Sequence, residues 1–326
     1  MRNNAKFDLP IEDNIHGDSG PEVRFLDKEY QRDQLLFDDG RSKPDSLISR
    51  KLDDSKKKKS IIAELPFALK NKELEIFYQP IVSIATNQPV CFEALLRWNH
   101  PVLGLICPND FIPIAEENDL IKEIGEWVIK NSCRQLRKWQ NDFTSEPPIS
   151  VSVNVSPRQL EDLDLLHVVE QTLNKNEPYH GSLILEITES SIIRNTKMAS
   201  MIINSLRSMG VKIFLDDFGV GFSSLDVLNK FAFDSIKLDR SIVWRMFNSN
   251  KDMEIIQRIF ELGLKLKKEI VAEGIETLDQ QKKLKEMHCK LGQGYLYAKP
   301  LTINSVDHVL KSPGSGNMCK FSLGTV

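Results

Sequence analysis

From about Ile61 onward, short apolar runs alternate with longer stretches whose apolar positions recur every three to four residues. The short runs predict strands at Leu74–Ile84, Val90–Arg97, Ile149–Val155, Leu183–Thr188, Val211–Asp216, Ser235–Asp239, Glu269–Ala272 and Gly292–Tyr295. Between them lie sets such as Leu120, Ile121, Ile124, Trp127 and Val128, or Met253, Ile256, Ile259, Phe260, Leu262 and Leu266. Those spacings put one apolar helix face against a core. Strands alternating with helices argue for a mainly parallel sheet. Eight strands over about 250 residues fit a (β/α)8 barrel in number and size. A doubly wound open sheet is the alternative, although no glycine-rich dinucleotide loop supports it.

Residues 1–60 lack this pattern. They are rich in Asp, Lys, Arg and Ser, with turn clusters at Gly17-Asp18-Ser19-Gly20-Pro21 and Asp38-Asp39-Gly40, and they end in Lys56-Lys57-Lys58-Lys59. This composition reads as a solvated arm, largely disordered or weakly helical, with one weak helix over Glu22–Phe37. The arm is a candidate contact for a protein partner or a second copy. Residues 61–311 form a single catalytic domain, and 312–326, opening on Ser312-Pro313-Gly314-Ser315-Gly316, read as a flexible tail.

The 41% apolar and 27% charged residues suit a soluble protein with a substantial core. A net charge of −3 gives no field toward a nucleic acid polymer or an anionic membrane. No run suits a transmembrane segment, and the start lacks a hydrophobic signal core, so the expected location is cytoplasmic. The five cysteines (Cys91, Cys107, Cys133, Cys289, Cys319) form no C-x-x-C pair and read as reduced, mostly buried thiols. The six histidines lack metal spacing; His100 and His288 read as loop or helix-end residues.

Buried parallel strands should be nearly continuous apolar runs. These are interrupted near their C-terminal ends by Glu93, Asn154, Glu186, Asp216 with Asp217, Lys237 with Asp239, Glu273 and Gln293. In a barrel those ends converge on the face that carries the active site. The two-residue strand period groups Glu93 with Arg97 and Lys237 with Asp239. Asp216 and Asp217 would face opposite ways in a regular strand, but a turn before Gly219 and Gly221 lets both reach one site. So many carboxylates in one cavity need protonation, salt bridges or cations. Oxygen donors without His or Cys suit Mg2+ or Mn2+ rather than Zn2+. A pair of such ions would clamp the oxygens of a phosphodiester, with the lone lysine partnering the attacking water or the developing charge. Any one of these residues is more often a cap or an ion-pair partner; that many at successive strand ends is not explained so.

The ordered strings Tyr78-Gln79-Pro80-Ile81, Glu93-Ala94-Leu95-Leu96-Arg97-Trp98, Val153-Asn154-Val155-Ser156, Glu186-Ile187-Thr188-Glu189, Asp216-Asp217-Phe218-Gly219-Val220-Gly221-Phe222-Ser223-Ser224-Leu225, Lys237-Leu238-Asp239, Val271-Ala272-Glu273-Gly274-Ile275-Glu276-Thr277 and Gln293-Gly294-Tyr295, followed by Pro300, carry a resemblance. From about Leu74 to Leu301 the chain resembles the EAL domain of cyclic di-GMP phosphodiesterases. The resemblance implies a TIM-like (β/α)8 barrel that hydrolyses cyclic di-GMP to linear 5'-pGpG, lowering a bacterial second messenger and favouring motility over biofilm.

The resemblance further implies metal binding by Glu93, Asn154, Glu186, Asp216 and Asp217, two Mg2+ or Mn2+ ions per site, and inhibition by Ca2+. It implies catalysis by Glu273 and Lys237, and ligand or water contacts by Gln79, Arg97, Asp239, Glu276, Gln293 and Pro300. It implies a homodimer, with Glu189, Gly219 and Gly221 coupling the dimer contact to the site. A carboxylate beside two cations loses proton affinity, so base and ligand both stay open for Glu273. Cys91-Phe92 and Cys289-Lys290 depart from the family pattern away from site positions. The alternative function is a catalytically weak or inactive receptor or protein-interaction module of the same fold. Degenerate members typically lose metal or base positions, which are intact here.

Overall fold

The computed structural model describes residues 46–220 and 225–311. The expected Glu22–Phe37 helix, Gly221, Cys319 and the 312–326 tail lie outside the described residues. The chain divides into two units, Met1–Asp54 and Ser55–Val326. Of the first, the described part is the start of a helix, Ser46–Ala68, which contains the four-lysine run.

In the second unit the strands are β1 (Leu74–Ser83), β2 (Pro89–His100), β3 (Gly104–Ile106), β4 (Ser150–Asn154), β5 (Leu183–Thr188), β6 (Lys212–Phe218), β7 (Ser235–Leu238), β8 (Glu269–Ala272) and β9 (Leu291–Gln293). They form one sheet in the order β1-β9-β8-β7-β6-β5-β4-β2-β3, and β1 pairs back onto β2, closing eight strands into a barrel. That closure removes the open-sheet alternative. All eight expected strands are present, with ends shifted by up to three residues.

Two departures have simple causes. β1 runs antiparallel to both neighbours, because a short turn joins it to β2 and parallel strands need a long crossover. β3 was not expected: at three residues, two of them exposed, it is too short to show a period. It pairs with the end of β2, Trp98 opposite Ile106, and so carries that strand on to His100.

The period of two divides the barrel's side chains into layers. Ile81, Cys91, Ile184, Phe214 and Val271 form a small apolar cluster. Each lies two residues from Gln79, Glu93, Glu186, Asp216 and Glu273 respectively, the first four on the same strand face and Glu273 just past the end of β8. The interior is therefore an apolar plug with a polar layer above it at the active-site end. The larger core lies between strands and helices, with Trp98, Trp139, Tyr78, Phe92 and Phe111 fully buried. On the helix Leu120–Asp142, Ile121, Ile124 and Val128 are buried, whereas Leu120 and Trp127 are only partly covered.

Cys91, Cys133 and Cys289 are free buried thiols and Cys107 is exposed. His288 follows a helix end, as expected. His100 is instead a buried strand terminus: its Nδ1 accepts from the Val102 and Leu103 amides, each at 3.1 Å, and its Nε2 lies 3.0 Å from the Glu64 carboxylate. Among the described residues no helix is long and apolar enough to cross a membrane.

Trp139 joins the helix layer to the barrel. Its ring meets Tyr78 edge-on at 4.8 Å and Phe92 at 5.3 Å, and its indole donates to Asp307 Oδ1 at 2.8 Å. Trp139→Ala is expected to lower unfolding free energy by about 3–5 kcal/mol in urea titration, with an unchanged m-value.

Candidate active site

The polar layer is organised around one ammonium. Lys237, 1% exposed on β7, has its Nζ 2.7 Å from Glu186 Oε2 and 2.7 Å from Glu273 Oε1, and 3.3 Å from both Glu93 Oε2 and Asp216 Oδ1. Glu93 is the second hub. Its Oε1 accepts from Asn154 Nδ2 at 2.8 Å and its Oε2 from Gln293 Nε2 at 2.7 Å. Gln293 Nε2 also donates to Gln79 Oε1 at 3.0 Å, and Gln79 Nε2 donates to the Ala298 carbonyl at 3.1 Å. Strand register brings these together, with Gln79 opposite Glu93 and Asn154 opposite Glu186.

An ammonium has three N–H groups, yet four carboxylates converge on this one. Glu186 Oε1, Asp216 Oδ1, Glu273 Oε1 and Gln293 Oε1 are buried without a hydrogen-bond partner. Two of these oxygens, on Asp216 and Glu273, are within ion-pair reach of Lys237 but outside hydrogen-bond geometry. Burial opposes the charge on Glu93, but Lys237, Gln293 and Asn154 outweigh it and hold this carboxyl below its ordinary range. Elsewhere burial dominates. It drives Glu186 well above the ordinary carboxylate value, reinforced by Glu93, and raises Asp216 despite Lys237. Asp217, although exposed on β6, is pushed up to about 7 by partial desolvation and then by Asp216 and Asp239. Glu273 is pushed up to about 8 by burial, with Lys237 opposing and Asp216 and Glu93 reinforcing. Lys237 is raised well above its ordinary value, because the four acids outweigh its burial.

The layer holds more negative charge than one lysine balances, which is the condition under which divalent cations bind. The all-oxygen donors and the orphaned buried oxygens fit hard ions such as Mg2+. Among the described residues no three His, Cys, Asp or Glu side chains are arranged as a ready ligand set. The reason is visible in the distances: the point where four carboxylates meet is taken by Lys237 Nζ.

The other expected residues surround this centre. Asp217 adopts a positive φ of 55°, and the β6–β7 register slips between Leu215 and Phe218. The chain is thus redirected at Asp217 while still within β6, and Asp217 stays exposed while Asp216 reaches Lys237. Asp239 has left the strand: its carboxylate accepts from Ser241 N at 2.8 Å and caps the helix Arg240–Arg245, so the period pairing with Lys237 ends at Leu238. Half-buried Arg97 donates to the Leu96 carbonyl at 2.8 Å. Burial lowers its basicity, opposed by Cys107, Tyr295 and Glu93. Glu276 donates its amide to Gln280 Oε1 at 2.8 Å. Pro300 is half-buried beside Leu301, which pairs with Tyr78. Glu189 opens the helix Glu189–Arg194, and Gly219, at φ 100°, lies against Ile242.

Sequence reasoning missed Arg240 and Trp244, which flank the Glu273 turn. Arg240 Cζ stands 5.2 Å from the Trp244 ring centroid, and Trp244 Nε1 donates to the Gly274 carbonyl at 2.9 Å. Their spacing of four on a helix directly after the Lys237 strand was the available signal.

The EAL domain family model matches residues 62–300. A cyclic di-GMP phosphodiesterase of Pseudomonas aeruginosa, NbdA, is 37% identical over 249 residues, 76% of this chain and 32% of the relative. The bifunctional diguanylate cyclase/cyclic di-GMP phosphodiesterase MucR of the same organism is 37% identical over 241 residues, 74% of this chain and 35% of the relative. The chain thus spans about a third of the length of these curated relatives. The solved PaMucR phosphodiesterase in complex with c-di-GMP superposes with a TM-score of 0.72 at 36% identity, covering 76% of this chain and 99% of that one. The EAL enzyme Bd1971, with cAMP and cyclic-di-GMP bound, gives a TM-score of 0.73 at 31% identity, covering 88% and 74%.

The raised carboxyls fix the sign of a pH dependence. The folded protein without cations binds more protons than the unfolded chain between the ordinary carboxylate values and the raised ones, about 7 for Asp217 and about 8 for Glu273. Their contribution is fully present below the ordinary values and lost as pH rises through about 8. In chelator, the thermal midpoint is expected to fall steadily from pH 5 to pH 8. Mn2+ is expected to restore it most at the high end, by binding only the folded state. A midpoint in chelator that is flat or rising over this interval contradicts the assignment.

Proposed function

The chain belongs to the EAL domain family, and we propose that it hydrolyses cyclic di-GMP to linear 5'-pGpG. The observation that carries this reading is the convergence of Glu93, Glu186, Asp216 and Glu273 on the buried Lys237 ammonium at the mouth of a closed barrel. Two divalent cations, Mg2+ or Mn2+, held by Glu93, Asn154, Glu186, Asp216 and Asp217, would supply Lewis acidity and a water of lowered pKa.

The chain's own groups do the rest. Lys237 holds the attacking water and faces charge that develops on the phosphorus oxygens. Water adds to phosphorus, the bond from phosphorus to the ribose 3'-oxygen breaks, and that oxygen takes up a proton. Glu273 is suited to handling protons near neutral pH, since its carboxyl is pushed up to about 8. The Arg97 guanidinium offers a planar fork to a phosphate. Gln79, Asp239, Glu276, Gln293 and Pro300 line the ligand and the waters around it. The apolar plug of Ile81, Cys91, Ile184, Phe214 and Val271 seals the site from below.

The reading extends to a cytoplasmic homodimer in which Glu189, Gly219 and Gly221 couple the dimer contact to the site. It includes inhibition by Ca2+, a protein partner reached through residues 1–60, and control of motility against biofilm growth.

The deciding experiment is a product assay with Mg2+, Mn2+ and Ca2+ in parallel. Conversion to pGpG is expected with the first two and not the third. Glu93→Ala and Glu273→Ala are each expected to lower turnover by about 10²–10⁴-fold. Intact cyclic di-GMP at high enzyme concentration with Mn2+ sinks the reading. Tight binding in chelator without turnover in any metal would replace the hydrolase with a receptor.

A further inference from the structure

Glu273 stands at the head of a turn, Glu273-Gly274-Ile275-Glu276, whose backbone groups can be followed one by one. The Glu273 amide donates to the Leu238 carbonyl at 3.1 Å, and the Ile275 amide to the Gln293 carbonyl at 3.0 Å. The Ile275 carbonyl accepts from Leu296 N at 2.9 Å, and the Glu276 amide reaches Gln280 Oε1 at 2.8 Å. These are strand-end and helix-cap bonds. One tie is of another kind: the Gly274 carbonyl accepts from the half-buried Trp244 indole at 2.9 Å. Trp244 belongs to the helix after Lys237, not to the strands that bracket the turn.

The packing around this bond leaves little slack. Gly274 has φ 68°, and a Cβ there would stand 2.4 Å from Arg240 Cβ and 3.1 Å from Trp244 Nε1. On the other side, a Cβ on Gly294 would stand 2.2 Å from the Ile275 carbonyl oxygen. The turn is thus held between the Gln293-Gly294 backbone and a shelf made by Arg240 and Trp244. Arg240 lies over the Trp244 ring with Cζ 5.2 Å from its centroid, which fixes the indole's orientation.

We propose that Trp244 is a positioning residue for Glu273: its indole N–H, oriented by the stacked Arg240, pins the Gly274 carbonyl and so aims the Glu273 carboxylate at Lys237. The inference rests on the hydrolytic reading above for its kinetic consequences, though not for the brace itself. A displacement of about 1 Å in a reacting group can cost about 10²-fold in rate. A bond one residue from Glu273 is therefore placed to set turnover through the position of that carboxylate.

Trp244→Phe tests it, since the ring and its contact with Arg240 remain and only the N–H is lost. With Mn2+, kcat is expected to fall about tenfold, the worth of one hydrogen bond, while KM stays within about twofold. In a Glu273→Gln background the same substitution is expected to produce no further loss. Independently of activity, amide exchange at Glu273 and Ile275 in the full chain is expected to quicken about tenfold relative to the β8 amides. Unchanged kcat, equal losses in both backgrounds, or unchanged exchange each overturn the proposal. Arg240→Gln is expected to give part of the Trp244→Phe effect on exchange; an unchanged rate removes Arg240 from the brace. If the unsubstituted chain shows no turnover, the hydrolytic reading falls alone, and the exchange measurement still decides the brace.

Discussion

Lys237 is the group that the rest of the site depends on. A fully buried ammonium is tolerable only when its charge is met at close range, and here it is met at 2.7–3.3 Å by four carboxylates. The dependence is mutual, because Glu93, Glu186 and Asp216 are buried and Glu273 is half-buried, and without Lys237 they would need to be neutral. Glu93 alone is drawn below the ordinary carboxylate range, because it has Gln293 and Asn154 as well as Lys237. The others share what is left of one positive charge, and their proton affinities rise accordingly. The barrel closes around an unbalanced electrostatic unit, and that imbalance is a binding property: it leaves room for protons or for cations.

Strand geometry makes this unit possible at modest structural cost. On most contributing strands the residue two positions below the polar group is apolar, as with Cys91 under Glu93, Ile184 under Glu186 and Phe214 under Asp216, whereas buried Ser152 and Ser235 lie under Asn154 and Lys237. The plug desolvates the acids from beneath, while the strand ends leave them reachable from above. Burial of the polar layer is thus a direct consequence of the period-two pattern, and so are the raised proton affinities.

Much of this was legible in the sequence, because the informative residues violate a strong rule. An acid or amide ending an otherwise apolar run stands out, and Glu93, Asn154, Glu186, Asp216, Lys237 and Glu273 do meet at one end of the barrel. What the pattern did not carry depends on local backbone geometry or on contacts distant in sequence. The antiparallel β1 follows from a turn length, and β3 is shorter than any detectable period. Asp217 turns the chain by a left-handed conformation that Asp tolerates but does not announce. Asp239 was grouped with Lys237 by strand period, yet helix capping claims it. Trp244 is marked in the sequence only by its spacing of four from Arg240, and the partner of its N–H, Gly274, lies thirty positions away.

The two possible roles of Glu273 are separated by what happens when cations enter. In the cation-free protein burial pushes its carboxyl up to about 8, with Lys237 opposing and Asp216 and Glu93 reinforcing. Cations at the Glu93–Asp216 end would offset that reinforcement and lower its proton affinity. If Glu273 ligated them directly it would lose its proton permanently and could only orient. If it stayed one residue's breadth away, beside Lys237, it would keep an affinity near neutrality and could exchange a proton with the reacting water. The turn that carries it restrains the carboxylate in either role. It is tied to the β7 and β9 strand ends and to Trp244 on three sides, with the carboxylate directed at the same ammonium that Glu93, Glu186 and Asp216 meet.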